Sequence, residues 1–349
     1  MHSVLIIIKF LILSGLAFAV SFIWVPFLSH FLTKLGMGKK IRPTSVAPIA
    51  GSLHAHKQGT PTSAGILIWL TVSVITILFY FLSIITKLDI FKFFNFLSRE
   101  ETLLPLGALL ASAVIGFVDD YYNVKGRGSN GGGLRMWHRL ALYALVAFVG
   151  AWWFYFKLDW DVIHIPFAGN FNIGFWYFPL FALVLIATSF SVNETDGLDG
   201  LAGGVLLACF AAFATISFFQ GRYDLVCFCG VIIGSLVTFL WYNIYPARFF
   251  MGDTGVMSLG VVLGIIAMLT NEFLLLPIIG IVLVIESLSV IIQTFSKKIR
   301  KKKIFLSTPI HHHFEAIGWA EPKIVMRFWL LSAIGALVGL IIFLFERLL

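Results

Sequence analysis

Residues 63–85 read Ser63-Ala-Gly-Ile-Leu-Ile-Trp-Leu-Thr-Val-Ser-Val-Ile-Thr-Ile-Leu-Phe-Tyr-Phe-Leu-Ser-Ile-Ile85, twenty-three positions without one charge. About 20 apolar residues in a helix cross a bilayer core, and a helix is one of only two structures that satisfy every backbone group in lipid. Comparable runs recur along the chain, ten in all, at about 4–33, 63–85, 102–120, 138–156, 175–192, 200–219, 224–243, 255–270, 272–296 and 325–346. The expected fold is therefore all-α, a polytopic membrane protein of about ten transmembrane helices. Composition agrees, with 59% hydrophobic and 12% charged residues where soluble domains carry about 25% charged. The first run is too long for a signal peptide, holds Lys9 and lacks a cleavage site, so it reads as a retained span. With no internal repeat and no separate soluble segment, residues 1–349 read as a single transmembrane domain.

Lys and Arg placement orients the chain. Lys34, Lys39, Lys40, Arg42 and Lys57 follow the first run without an acid, and Lys297, Lys298, Arg300, Lys301, Lys302 and Lys303 follow the ninth. Alternate connections are charge-balanced, as in Lys87, Asp89, Lys92, Arg99, Glu100 and Glu101. The basic loops are thus cytoplasmic, and ten spans put both termini on the outer side. The net charge of +8 reflects this asymmetry and any anion the loops bind. Nucleic acid is not an expected partner, because the cations are split among short loops. Membrane lipids are, and Lys297–Lys303 suits anionic headgroups. Cys209, Cys227 and Cys229 fall within spans and read as small hydrophobes. Ser129-Asn-Gly-Gly-Gly133 reads as a flexible tract of one cytoplasmic loop.

Five loops on that same side hold most of the chemistry. Asp119 and Asp120 end the third run, where a helix C-terminus disfavours negative charge. Asn193-Glu-Thr-Asp-Gly-Leu-Asp199 sets three acids and an amide in seven residues, and Asn193, Asp196 and Asp199 at successive i,i+3 spacings share a face of a helical turn. Such an oxygen-only set suits Mg2+, which is usually held by one or two carboxylates plus substrate phosphates; the bland alternative is a capped turn. Asp253 in Phe250-Met-Gly-Asp-Thr254 is another oxygen ligand or an N-cap, with Asn243 and Arg248 as donors nearby and Phe250 as a stacking platform or interfacial anchor. His311-His-His313 cannot share one ion as a helix, because neighbours diverge by about 100°; imidazoles beside a lysine run suit diphosphate contact or proton transfer. Glu286 lies within the ninth run, where an ionisable group is costly and is either paired or functional.

Together, in this order, Lys57-Gln-Gly-Thr-Pro-Thr62, Asp119-Asp120, Asn193-x-Thr-Asp-Gly-Leu-Asp-Gly200 and Phe250-Met-Gly-Asp253 resemble the polyprenyl-phosphate N-acetylhexosamine-1-phosphate transferases. Pro309-Ile-His-His-His-Phe-Glu315, followed by Gly318-Trp319 and Glu321-Pro322, resembles the phospho-N-acetylmuramoyl-pentapeptide transferase branch. The resemblance implies a ten-span fold with a cytoplasmic active site, a homodimer, and a place in the bacterial cytoplasmic (inner) membrane. It implies transfer of phospho-MurNAc-pentapeptide from UDP-MurNAc-pentapeptide to undecaprenyl phosphate, giving lipid I and UMP with Mg2+ as cofactor. Carried onto matching positions, it makes Asp119, Asp120 and Asp253 the essential carboxylates, with Asp253 and Asn193 at the metal. It makes Lys57, Thr62, Asn193, Asp196, Asp199, Asn243, Phe250, Gln293, His312 and His313 substrate-binding. The chain departs from the family at Ser63-Ala64-Gly65, where Met-Gly-Gly is usual, at Glu194, and at Asn123, where the family has a lysine that Lys125 or Arg127 would have to replace.

Phosphoryl transfer asks mainly for positioning and charge neutralisation, which this donor set supplies. Asp119 or Asp120 is the expected base toward the acceptor phosphate; a two-step route through an aspartyl-phosphate stays open. Two alternatives are a sister transferase using UDP-GlcNAc, against which the triple histidine argues, and a transporter, whose site would sit at the bilayer midplane.

Overall fold

The computed structural model describes residues 2–39, 54, 57–127, 133, 134 and 136–349. Lys40, Arg42 and all but Gly133 of the Gly-rich tract lie outside those residues. Ten long helices are present among them: α1 His2–Lys34, α2 Ile66–Ile85, α4 Leu103–Lys125, α5 Met136–Lys157, α6 Tyr177–Thr195, α7 Leu201–Phe219, α8 Tyr223–Asn243, α9 Asp253–Leu269, α11 Ile281–Ile299 and α13 Glu321–Glu346. Short helices α3 Asp89–Phe94, α10 Leu276–Ile279 and α12 Ile310–Ala316 lie between them. Nine of the ten expected apolar runs each fall on one long helix. Seven helices are long and apolar enough to cross a membrane, while α5 and α9 carry shorter apolar stretches and α11 carries neither. The chain is a multi-pass membrane protein.

Helix α9 organises the bundle. It packs against α4 and α6 and is buried from Thr254 to Leu269. A helix apolar on all sides needs neighbours on all sides, and its glycines allow them close. A Cβ at Gly260 would press on the Ser189 backbone, and one at Gly264 on Thr188 and Leu185. Thr254 Oγ1 donates to the Ala113 carbonyl of α4 at 2.7 Å, fixing the start of α9 beside the middle of α4. Around this centre α1 packs on α8, α8 on α7, and α13 on α7.

One expectation is corrected. The run 272–296 is not one span. The chain turns after α9, makes α10, breaks at Gly280 and only then enters α11. A continuous apolar window cannot register such a break. Helix α11 also has inverted polarity, with Glu286, Ser289, Gln293 and Ser296 buried at i,i+3/i+4 spacing and Ile285, Leu288, Ile292, Phe295 and Ile299 exposed. That pattern fits a helix with lipid outside and a polar interior. The all-α expectation holds, and the helices are joined by one short antiparallel hairpin among the described residues, β1 Val162–Ile165 with β2 Gly169–Asn172, at the end away from the motif loops. It is anchored by His164 Nε2 at 2.9 Å from Glu346 Oε1 of α13.

Candidate active site

The five motif loops meet at one end of the bundle. Residues 61–65 are laced to Phe250 and Met251 by backbone bonds: Phe250 N–H donates to Pro61 O (2.8 Å), Ala64 N–H to Phe250 O (2.9 Å) and Gly65 N–H to Met251 O (2.9 Å). This places Asp253 beside α4. A Cβ at Gly116, one turn before Asp119 and Asp120, would collide with the Asp253 carbonyl.

Asp120 is buried, and its carboxylate accepts Asp253 N–H (2.9 Å), Thr254 N–H (3.2 Å) and Ser63 Oγ–H (2.8 Å). It thus satisfies two of the first-turn donors that a helix leaves open, capping α9 from another helix. Gly252 (φ +70°) makes the approach feasible, because a Cβ there would strike Asp120 and Ser63. Ser63, one of the departures from the family pattern, is therefore an Asp120 partner. Asp119 accepts Leu134 N–H at 2.5 Å. Asn193 Nδ2 donates to Asp253 Oδ1 at 2.9 Å, so the expected metal pair comes together. An amide and a carboxylate side by side offer hard oxygen donors of the kind that fits Mg2+.

A second group centres on Lys57. Its ammonium donates to Asp199 Oδ1 (2.6 Å) and Glu321 Oε1 (2.5 Å), and all three side chains are buried. Glu321 also accepts Asp199 N–H (2.7 Å), and Asp199 Oδ2 accepts Ala247 N–H (3.0 Å). Asn243 accepts Gly200 N–H (3.0 Å) and donates to Phe249 O (2.8 Å), pinning the 193–200 turn to the 243–250 loop. Buried Phe250 lies under two cations, with Lys39 Nζ 4.5 Å and Lys57 Nζ 6.0 Å from its ring centroid. Thr62 is buried, its N–H on Met37 O. Burial raises the Asp196 pKa, and the opposing pull of Lys39 is too weak to cancel it.

The three histidines turn three ways. His311 Nδ1 lies 2.9 Å from Glu286 Oε2, His312 Nδ1 2.6 Å from Glu315 Oε2, and His313 Nδ1 accepts Leu306 N–H at 3.2 Å. His54 Nε2 reaches the same Glu315 oxygen at 3.2 Å, so one carboxylate orients two imidazoles. Burial and the neighbouring His311 push the His312 pKa down to about 4. For Glu315 the hydrogen bonds from His312 and His54 outweigh burial and hold it down to about 2. Gln293 braces the 304–305 turn, accepting Ile304 N–H (2.9 Å) and Phe305 N–H (3.1 Å) and donating to Phe305 O (2.8 Å). Lys125 donates to Leu35 O at 3.0 Å, while Asn123 is exposed.

Sequence reading assigned no separate role to Ser63, Glu315 or Glu321. Only the last two carried any signal, as members of the branch signature. The polar groups gather at the end of the bundle, not at its middle, which disfavours the transporter alternative.

Comparison with known proteins agrees with this geometry. Residues 102–271 match the model of glycosyl transferase family 4. The chain is 38% identical over 343 residues to a phospho-N-acetylmuramoyl-pentapeptide-transferase of Chloroflexus aggregans, covering 95% of this chain and 88% of that one. It is 37% identical over 332 residues to the one of a Geobacillus species (94% and 95% covered), and 37% identical over 326 residues to the one of Clostridium novyi (93% of each). With the acidic loops, the triple histidine and the helical bundle in agreement along the chain, the protein belongs to the phospho-N-acetylmuramoyl-pentapeptide-transferase family of phosphoglycosyl transferases.

Proposed function

We propose that this enzyme transfers phospho-MurNAc-pentapeptide from UDP-MurNAc-pentapeptide to undecaprenyl phosphate at the cytoplasmic face of a bacterial inner membrane, releasing UMP and forming lipid I. The observation that carries the reading is the convergence of Asp119, Asp120, Asp253 and Asn193, from three separate segments, at one end of an apolar bundle. A lipid-borne phosphate and a water-soluble nucleotide can meet only at such a surface.

Asp120 is the anchor, because three donors occupy its two oxygens. Asp119 is the base. It takes the proton of the acceptor phosphate, whose freed oxygen attacks the sugar-bearing phosphorus of the donor while the bond to the UMP phosphate breaks. Asp253 and Asn193 would hold Mg2+. The ion, when bound, neutralises diphosphate charge and stabilises the leaving UMP. Lys39, Phe250 and the 193–200 turn form the nucleotide side, with the Lys57–Asp199–Glu321 cluster keeping that turn in place. His312, neutral and oriented by Glu315, offers Nε2 to the donor; His313 and the Gln293-braced turn flank it.

Side-by-side assays with UDP-MurNAc-pentapeptide and UDP-GlcNAc, undecaprenyl phosphate and Mg2+ test the reading. UMP release with the muramoyl donor alone supports it, and turnover of UDP-GlcNAc alone overturns it.

A further inference from the structure

Glu286 and His311 are both fully buried, with side-chain exposure of 0% each, and neither belongs to the donor- or acceptor-binding groups above. Placing an ionisable pair inside a membrane bundle is costly unless the pair serves a purpose. Their geometry ties three segments together. Glu286 Oε2, on α11, accepts His311 Nδ1–H at 2.9 Å and lies 3.5 Å from the His311 backbone nitrogen at the start of α12. The far side of the same imidazole rests on Gly197, in the turn between α6 and α7. A Cβ at Gly197 would collide with His311 Nε2, so only glycine lets the ring seat there. His311 Nε2 and Glu286 Oε1 have no hydrogen-bond partner among the described residues.

The ring is thus a spacer between α11 and the acid-bearing turn. Gly197 is flanked by Asp196 and lies two residues before Asp199, whose carboxylate holds Lys57. Four residues further back on α6, Asn193 donates to Asp253. A shift of the imidazole moves the turn that connects these contacts. The adjacent His312 shares the ring's helix, its centroid 4.1 Å from that of His311.

We propose that Glu286 is a positioning residue for the nucleotide-sugar site: through its hydrogen bond to His311 it sets the height of the Asp196–Asp199 turn, and so tunes donor binding without touching donor or acceptor. The inference rests on the donor-side reading given above. What it requires is an acceptor oxygen at the Glu286 position and a glycine at 197.

Steady-state rates in detergent, with donor and acceptor varied separately, test it. Glu286→Gln keeps an oxygen that accepts His311 Nδ1–H and is expected to hold the donor KM within about threefold of the parent. Glu286→Leu keeps the bulk, loses the acceptor, and is expected to raise the donor KM by about tenfold to a hundredfold, leaving the acceptor KM within about twofold. Gly197→Ala pushes on the ring from the other side and is expected to give the same donor-specific defect; it carries the test if Glu286→Leu does not accumulate in membranes. Equal rises in both KM values, an unchanged donor KM, or equal damage from Gln and Leu would overturn the proposal. If the parent turns over UDP-GlcNAc in place of the muramoyl donor, the functional reading fails. The same KM comparison made with UDP-GlcNAc still decides the role of Glu286.

Discussion

The Asp120 carboxylate accepts the backbone N–H of Asp253 at 2.9 Å, so one acid of the α4 pair caps the helix that begins with the acid proposed to hold the metal. Chain separation is 133 residues, yet the bond ties Asp120 of α4 to the first residue of α9. Asp120→Ala is expected to lower the unfolding free energy by about 1–3 kcal/mol, the range for a buried donor left without its acceptor. It is also expected to lower transfer far more than that loss of folding explains. Thermal unfolding in detergent beside UMP release checks both. An unfolding temperature equal to the parent's would contradict the capping role.

Lys57 stands between two carboxylates, and removing it leaves Asp199 and Glu321 facing each other in a buried site. Lys57→Met is expected to cost about 3–5 kcal/mol. Adding Glu321→Gln removes one of the two opposed charges and is expected to recover part of the loss. Melting curves of both singles and the double decide the matter, and strictly additive losses would contradict the coupling.

Acid weakens the histidine end of the site. The folded His312 titrates near 4, against 6.5 for the unpaired ring, so the unfolded chain binds the extra proton as pH falls through that window and stability drops. Glu315, held down to about 2 from 4.5, adds a further loss below pH 4.5. His311 runs the other way. Burial opposes its protonation, but Glu286, Glu315 and Glu194 outweigh that and raise its pKa, so its contribution is present below 6.5 and fades as pH rises through the raised value. The unfolding temperature is expected to fall between pH 6.5 and 4, and His312→Asn to flatten that segment. A profile in which His312→Asn leaves the acid limb unchanged would contradict the assignment.

Opposite ends of the bundle should face opposite compartments. Ser307→Cys, near the basic run, is expected to react with a membrane-impermeant thiol reagent only from the cytoplasmic side. Asn170→Cys, exposed on the hairpin, is expected to react from outside. Cys209, Cys227 and Cys229 are buried and give little background. Labelling of Ser307→Cys in intact cells would reverse the orientation.

The helices were legible in the sequence because lipid demands long uncharged runs. Even α9, the shortest, showed itself, since burial on all sides needs the same apolar composition as a span. The break before α11 was hidden because Leu276–Ile279 is as apolar as the helices around it, and turning depends on backbone, not composition. The hairpin was hidden by its length of four residues per strand. In the site, the carboxylates were visible as local clusters. Glu321 was not, because its partners, Lys57 and the Asp199 N–H, lie 264 and 122 residues away. Likewise Gly116 and Gly252 mattered only once Asp253 and Asp120 were seen against them. The family resemblance implied a substrate-binding role for Lys57; the fold surrounds it with Asp199 and Glu321, so it also holds the Asp199 turn.

Asp253→Asn tests most directly whether this acid cluster is the catalytic centre. The substitution keeps size and the backbone bond to Asp120 while removing the charge proposed to hold Mg2+. Membranes carrying the variant at the parent's level, given UDP-MurNAc-pentapeptide, undecaprenyl phosphate and a series of Mg2+ concentrations, are expected to release UMP at less than about one hundredth of the parent rate, with little recovery at high Mg2+. Parent-like UMP release from the variant would place the metal and the chemistry elsewhere.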